Sequence, residues 1–385
     1  MKRDKPQLLI ISFSDISADA RVLKQALLFA NEFDVVTCGY GSSVREDIEH
    51  IGLEHIPESM LGLRRYIEPL FVRTHLYRLA FQRDPRVRRA LRALENRSFD
   101  VVIANELETL PVAFLCADER RVLLDLHEYY PGLRDDLPAW VNVRQPYQEW
   151  LLRKKVRRVG AVTTVSQTIA DRYSVEFGFT SSVVRNAANY RSNLQPGDVN
   201  DPIRIVHSGV AAENRRPEVM MEAVAASRSN VTLDLFLTAQ QTEFGQRLHD
   251  TARALGDRIK IHAPVPNAEL VEKLNNYDIG MHVLAPTNTN NALALPNKFF
   301  DFVQARLGMI IGPTPDMASL LTKYGLGAVA GGFEVKDVIT VLDGLDRNKV
   351  ANWKKNSDTH AEELSAEQQQ GGWISAVERI LANAS

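Results

Sequence analysis

Residues 293–305 read LALPNKFFDFVQA: a proline, an amide, a lysine and then an aspartate, placed where an apolar run gives way to helical spacing. Pro296 suits a first helical position, because its fixed φ fits and its missing N–H would have no partner there. The remaining N–H groups of that turn, including those of Asn297 and Lys298, stand with the positive end of the helix dipole and form a site for an anion. Lysine at a helix start opposes the dipole unless an anion is present. Asp301 is too far along to cap the helix, but its carboxylate can accept two hydroxyl hydrogen bonds, as from a ribose. Chemistry alone also allows an ordinary helix start with Lys298 and Asp301 solvated. A second candidate is His127, which closes the apolar run RVLLDLHE beside Glu128. It reads either as a satisfied core histidine or as a group that touches a substrate.

Short β-branched runs must position these residues. QLLIISFS, DVVTCGYG, DVVIANE, RVLLDLHE, AVTTVS and SSVVRN alternate with helical spacing at Ala20–Asn31, Leu107–Cys116 and Gln167–Phe177. Uninterrupted apolar strands between helices indicate a parallel sheet covered on both faces. Residues 187–202, AANYRSNLQPGDVNDP, lose all periodicity and have linker chemistry. The pattern restarts with IRIVHSG, VTLDLFLT, RIKIHAPV, DIGMHVL and MIIGP. The expected organisation is therefore a first domain over 1–187, a linker over 188–202 and a second domain over 203–355. A helical segment over 356–385 follows, which can cross back to the first domain. Ligands of doubly wound sheets sit at the carboxyl ends of the strands, here in a cleft between the domains.

Composition removes several alternatives. A formal net charge of -2 disfavours a nucleic-acid partner. Two cysteines, Cys38 and Cys116, allow neither a disulfide framework nor a cysteine-rich zinc site and fit a reducing compartment. The apolar run after MKRDKPQ is too short for a signal peptide, so a cytoplasmic protein is expected. There is no G-x-G-x-x-G after the first strand, no Walker A sequence, no H-E-x-x-H and no G-x-S-x-G.

Residues 278–327, beginning DIGMHVLAP and ending LLTKYGLG, resemble the nucleotide-sugar half of glycosyltransferase family 4. These are retaining enzymes of the GT-B fold: α/β, with two doubly wound Rossmann-like parallel-sheet domains facing a central cleft. Members that build surface polysaccharides carry a similar "lPnK-F-FE-Y" string. The resemblance implies that a diphosphate sits over Pro296, Asn297 and Lys298 and that Asp301 binds the ribose. It extends through SDISADARVLKQALLFAN, FDVVIANELETLPVAF, VLLDLHEYYPG and HSGVAAENRRPEVMMEAV. Across these strings it implies Gly209 and, six residues on, Arg215 as a phosphate ligand, with Arg216 competing for that role. It also implies His127 near the reacting carbon, with Asp19, Arg21 and Glu128 on the acceptor side. Glu106 can serve the site or cap a turn. The implied activity is hexosyl transfer (EC 2.4) from a nucleotide diphosphate sugar to a glycan, a lipid-linked glycan or a small molecule, with neither metal nor cofactor.

The sequence also departs from the family. Leu293 stands where the first glutamate of the family's paired site is usual, Val210 replaces the cation after the glycine, and Arg306 replaces a glycine. A non-catalytic GT-B-like subunit and a sugar-nucleotide epimerase are the rival expectations. Leu61–Arg97 holds ten arginines against three acids, interleaved with aromatics, and RKKVRR follows at 153–158. Such a profile fits a solvated helical face or docking on an anionic membrane, placing the protein peripherally at the membrane's inner face.

Overall fold

A computed structural model describes residues 5–55, 66–95 and 97–383. The chain divides into two compact units. The first is Met1–Val184 with Asn288–Asn290 and Gln370–Ser385; the second is Arg185–Thr287 with Asn291–Gln369.

The first unit is built on a parallel sheet of β1 (Gln7–Asp15), β2 (Asp34–Tyr40), β3 (Glu49–Gly52), β4 (Val101–Asn105), β5 (Val122–Leu126), β6 (Ala161–Thr164) and β7 (Ser182–Val183). Their order is β3-β2-β1-β4-β5-β6-β7. The central strands read as continuous apolar runs because helices cover both faces: Leu8 to Ile11 of β1 and Val101 to Ala104 of β4 have no exposure. The helix Gly371–Ala382 completes this core, burying Trp373, Ala376, Val377 and Ile380 against Leu8, Ile10 and Leu123.

The second unit repeats the plan with β8 (Ile203–Val210), β9 (Val231–Thr238), β10 (Ile259–His262), β11 (Ile279–His282), β12 (Gly308–Ile311) and β13 (Gly327–Val329). These are again parallel, in the order β10-β9-β8-β11-β12-β13. The linker is tied down by Asp278, a buried carboxylate that accepts from Arg204 N at 2.8 Å, Asn200 Nδ2 at 3.1 Å and Lys354 Nζ at 3.1 Å. Arg306 occupies its glycine-like position with φ of 59°. Its strain is held by bonds of 2.7 Å each to Asp358 Oδ1, Gln304 O and Arg191 O.

In each sheet the order reverses beside the first strand, between β1 and β4 and between β8 and β11. That reversal is where an open α/β sheet leaves a crevice at its carboxyl edge. Two strands escaped the sequence reading. β3 and β13 are edge strands of four and three residues, EHIG and GAV, too short and too little buried to show a pattern.

Candidate functional site

In the first unit the chain gathers charge at the β1–β4–β5 edge. Asp125 lies two residues before His127, and the strand's period of two puts both side chains on one face. Asp125 is fully buried. Arg21 grips it with Nε–Oδ2 and Nη2–Oδ1 bonds of 2.7 Å, and Gln25 (2.6 Å) and Thr163 (2.7 Å) add two more. Burial alone would raise the Asp125 pKa, but Arg21 and His127 hold it well below the carboxylate range.

His127 is fixed from both sides. Nε2 lies 3.1 Å from Asn105 Oδ1 and 3.5 Å from Asp125 Oδ2, and Nδ1 lies 3.0 Å from Glu106 Oε1. Asn105 donates its amide to Gln25 at 2.9 Å, so its oxygen can only accept. With acceptors on both nitrogens, the ring is an imidazolium. Burial opposes that charge, but Glu106 and Asp125 outweigh it and hold the pKa at about 10. Glu106 does not cap the following turn. It sits at φ 73° and ψ 156°, a region nearly reserved for glycine, and accepts from the Tyr130 hydroxyl. Such an outlier costs about 1–3 kcal/mol and marks a position held by its surroundings. The Tyr130 hydroxyl also reaches Glu108 at 3.1 Å; burial, then Glu106, push the Glu108 carboxyl above its usual range.

The acceptor-side expectations separate here. Asp19 caps the helix Ala20–Phe29, accepting from the N–H groups of Arg21 and Val22. Arg21 is 2% exposed, gives Nη1 to Val184 O at 2.7 Å and stacks over Trp373, so its guanidinium is wholly committed inside the unit. Glu128 is exposed and accepts from Asn290 Nδ2 at 2.5 Å within the same unit. His127 should therefore stay protonated in the folded protein. Its charge stabilises the fold fully below the unfolded value of about 6.5, and that stability is lost as pH rises through about 10. Nitrogen NMR of the imidazoles should show this ring still protonated at pH 8; a midpoint near 6.5 would contradict the arrangement.

In the second unit the helix Asn297–Gln304 starts one residue later than its sequence implied. Pro296 takes the cap with extended ψ of 155°, and no side chain caps the helix. Gly280 of β11 lets the helix approach closely, because a Cβ there would lie 2.3 Å from Phe302. Lys298 is thereby held half-buried in the first turn, outside any hydrogen bond or ion pair among the described residues. Burial lowers its pKa; Asp301, half-buried one turn on, opposes that shift, while Arg215 adds to it. Gly209 is the penultimate residue of β8, and a Cβ on it would lie 2.8 Å from His207 Nε2 and 3.6 Å from Lys298 Cε. Arg215 is exposed at the end of the turn Glu213–Arg215, whereas Arg216 pairs with Glu334 at 3.1 Å. Arg215 is thus the available cation, and Arg216 is withdrawn from that role. Leu293 is buried, and Val210 is 48% exposed.

His207 and His282 escaped the sequence reading. His282 closes β11 and His207 follows the apolar run of β8, much as His127 follows that of β5, but each stands alone in sequence. Among the described residues no group of three or more His, Cys, Asp or Glu could hold a metal ion.

Comparison with known proteins agrees with this plan. The model of Glycosyltransferase Family 4 matches residues 22–190. No curated protein gives a significant sequence match. Sucrose-phosphate synthase from Thermosynechococcus elongatus is similar in structure, with a TM-score of 0.72 at 12% identity over 99% of this chain and 100% of that one. Anabaena HepE, solved in complex with UDP and glucose, gives 0.67 at 14% identity over 97% and 99%. The α,α-trehalose 6-phosphate synthase of Burkholderia multivorans gives 0.65 at 10% identity over 99% and 100%. The fold is GT-B, as the resemblance in the sequence implied.

Proposed function

We propose that this protein is a glycosyltransferase that moves a sugar from a nucleotide diphosphate sugar to an acceptor. The observation that carries the reading is Lys298, a half-buried cation that has no hydrogen bond or ion pair among the described residues, in the first turn of a helix without a side-chain cap at the β8–β11 reversal. A cation there is disfavoured by the dipole and by burial unless an anion completes the site. Arg215 and the helix N–H groups would meet the diphosphate, and Asp301 would accept from the ribose hydroxyls. As the sugar–oxygen bond breaks, negative charge grows on the leaving phosphate, where these groups stabilise it most. The nucleotide and glucose bound to HepE support this choice of donor.

The first unit would hold the acceptor. There His127 serves as a fixed positive charge that orders Glu106, since both its nitrogens are engaged. Retention at the anomeric carbon and chemistry without metal belong to the same proposal. Turnover of UDP-, GDP- and dTDP-sugars with candidate acceptors, followed by NMR of the product, tests it. The expected product is a new glycosidic bond of retained configuration, formed equally with EDTA present. Buried Leu293, in place of a carboxylate, favours a second reading, a sugar-nucleotide-binding subunit without catalysis. Binding with no turnover across the panel would select it.

A glycan acceptor on a lipid carrier would give the basic stretch a purpose. Residues 61–65 of that stretch, with Arg64 and Arg65, lie outside the described residues, as does residue 96. Within the remainder, exposed Tyr66, Ile67, Leu70, Leu76 and Leu79 accompany exposed Arg73, Arg78, Arg83, Arg88 and Arg92. Other arginines are committed: Arg86 to Asp84 at 2.7 Å, Arg89 to the Tyr40 hydroxyl at 3.3 Å and Arg97 to Glu49. The arginines of the second basic cluster are committed too, Arg153 and Arg157 to carbonyls of residues 176 and 177 and Arg158 to Glu119. No helix of the described residues is long and apolar enough to cross a membrane. We place the protein in the cytoplasm, peripheral at the inner face of the membrane. It should sediment with anionic vesicles and not with neutral ones, and rising salt should release it, since such attraction is screened within about 8 Å. Changing the five exposed arginines to glutamine should abolish sedimentation; equal pelleting by that variant would reduce the patch to a solvated face.

A further inference from the structure

His207 and His282 lie where the second unit's sheet reverses its order, on strands that pair directly. The rings stack in parallel, 5.7 Å between centroids and 2° between planes. They are only 6% and 7% exposed. His207 gives Nδ1–H to Met281 O at 2.8 Å, because a carbonyl can only accept. In the neutral ring Nε2 then keeps its lone pair, and it faces the space over Gly209 beside Lys298. His282 is stranger: among the described residues neither of its nitrogens has a hydrogen-bond partner. A buried imidazole left so is costly and calls for an explanation.

The surrounding charges supply one. Lys298, from the helix Asn297–Gln304, and Arg215, from the turn Glu213–Arg215, act on both rings. Asp301 offsets Lys298, and Met281 O accepts from His207. Two cations thus face two imidazoles, and among the described residues no carboxylate acts on either ring. Burial, and after it Lys298, keep His207 neutral, with a pKa of about 4, and the same causes hold His282 well below the usual imidazole range. An anion placed against Lys298 reverses the local field and gives both rings an acceptor.

We propose that His207 and His282 are phosphate-binding residues of the donor site and that the complex forms with a proton taken from solvent onto the imidazole pair. The proton balance is simple: neutral pair, donor anion and one solvent proton give a complex holding an imidazolium. This inference rests on the nucleotide-sugar reading. A nucleotide diphosphate sugar suits the test, since its esterified diphosphate does not itself titrate near neutral pH.

Calorimetric titration of the full chain with UDP-glucose, dTDP-glucose and GDP-mannose at pH 6, in buffers of different ionisation heat, counts the protons. The wild type should take up about one proton with whichever sugar binds, and affinity should fall by up to tenfold per pH unit from 6 to 8. The His207→Asn/His282→Gln variant should bind more weakly, with uptake near zero and a flat pH profile. Nitrogen NMR of the wild type guards against a variant that fails to fold: a neutral ring should become an imidazolium as the sugar is added. Binding with no proton uptake, or undiminished uptake in the variant, overturns this inference and leaves the donor reading intact. If none of the three sugars binds, both fall together.

Discussion

Asp125→Ala should destabilise the first unit by about 3–5 kcal/mol, the loss that follows when one member of a buried ion pair is removed and the other stays. Arg21 would remain at 2% exposure with Nε and Nη2 deprived of their acceptor, and Gln25 and Thr163 would lose theirs. The imidazolium of His127 would lose one of the two charges that sustain it. The effect should be local to the first unit, which makes it measurable. Trp140, Trp150 and Trp373 lie there and Trp353 in the second, so tryptophan fluorescence during urea unfolding reports mainly the first. Replacing the pair together, Arg21→Met with Asp125→Leu, should recover much of the loss, because no uncompensated charge then remains. A loss below about 1 kcal/mol for Asp125→Ala would mean that Arg21 finds another partner or reaches water, against the buried geometry.

Lys298→Met should separate stability from turnover. The lysine opposes the helix dipole, so removing it should stabilise the second unit by about 0.3–1 kcal/mol. The same change removes a cation from the leaving phosphate and should lower kcat about 100- to 1,000-fold, the range seen when one preorganised donor to developing charge is lost. Arg215→Ala should lower turnover to a similar degree with little change in stability, since the side chain is exposed. A structural lysine would behave in the opposite way, with stability lost and turnover kept. That pattern would withdraw Lys298 from the site, and an Arg215→Ala variant with parental kcat would withdraw Arg215.

The fold was legible because its central strands are buried on both faces and cannot avoid apolar runs, as at residues 8–11 and 101–104. The helix Gln167–Phe177 was legible to its last residue through Ser166, which caps it, and Gly178, which ends it at φ 68°. Lys298 stood out in the sequence because a lysine in the first turn of a helix is a local misfit, whereas Arg215 was implied only by the family resemblance. Arg21 was not. It follows a helix cap and has the look of a surface residue, yet its partner lies 104 positions away. No local pattern encodes that distance. The two histidines of the second unit escaped for the same reason, being 75 residues apart and made a pair only by the adjacency of β8 and β11.

The proposed activity requires that the second unit hold a nucleotide diphosphate. Thermal unfolding with UDP, GDP and dTDP added singly at millimolar concentration tests this without knowledge of the acceptor. At least one should raise the melting temperature, with a stabilisation of about 2.7 kcal/mol at a hundredfold excess over Kd. Asp301→Ala, which would remove the ribose contacts, should weaken that response. If all three leave the melting curve unmoved, the chain does not hold a nucleotide diphosphate and the proposed function is wrong.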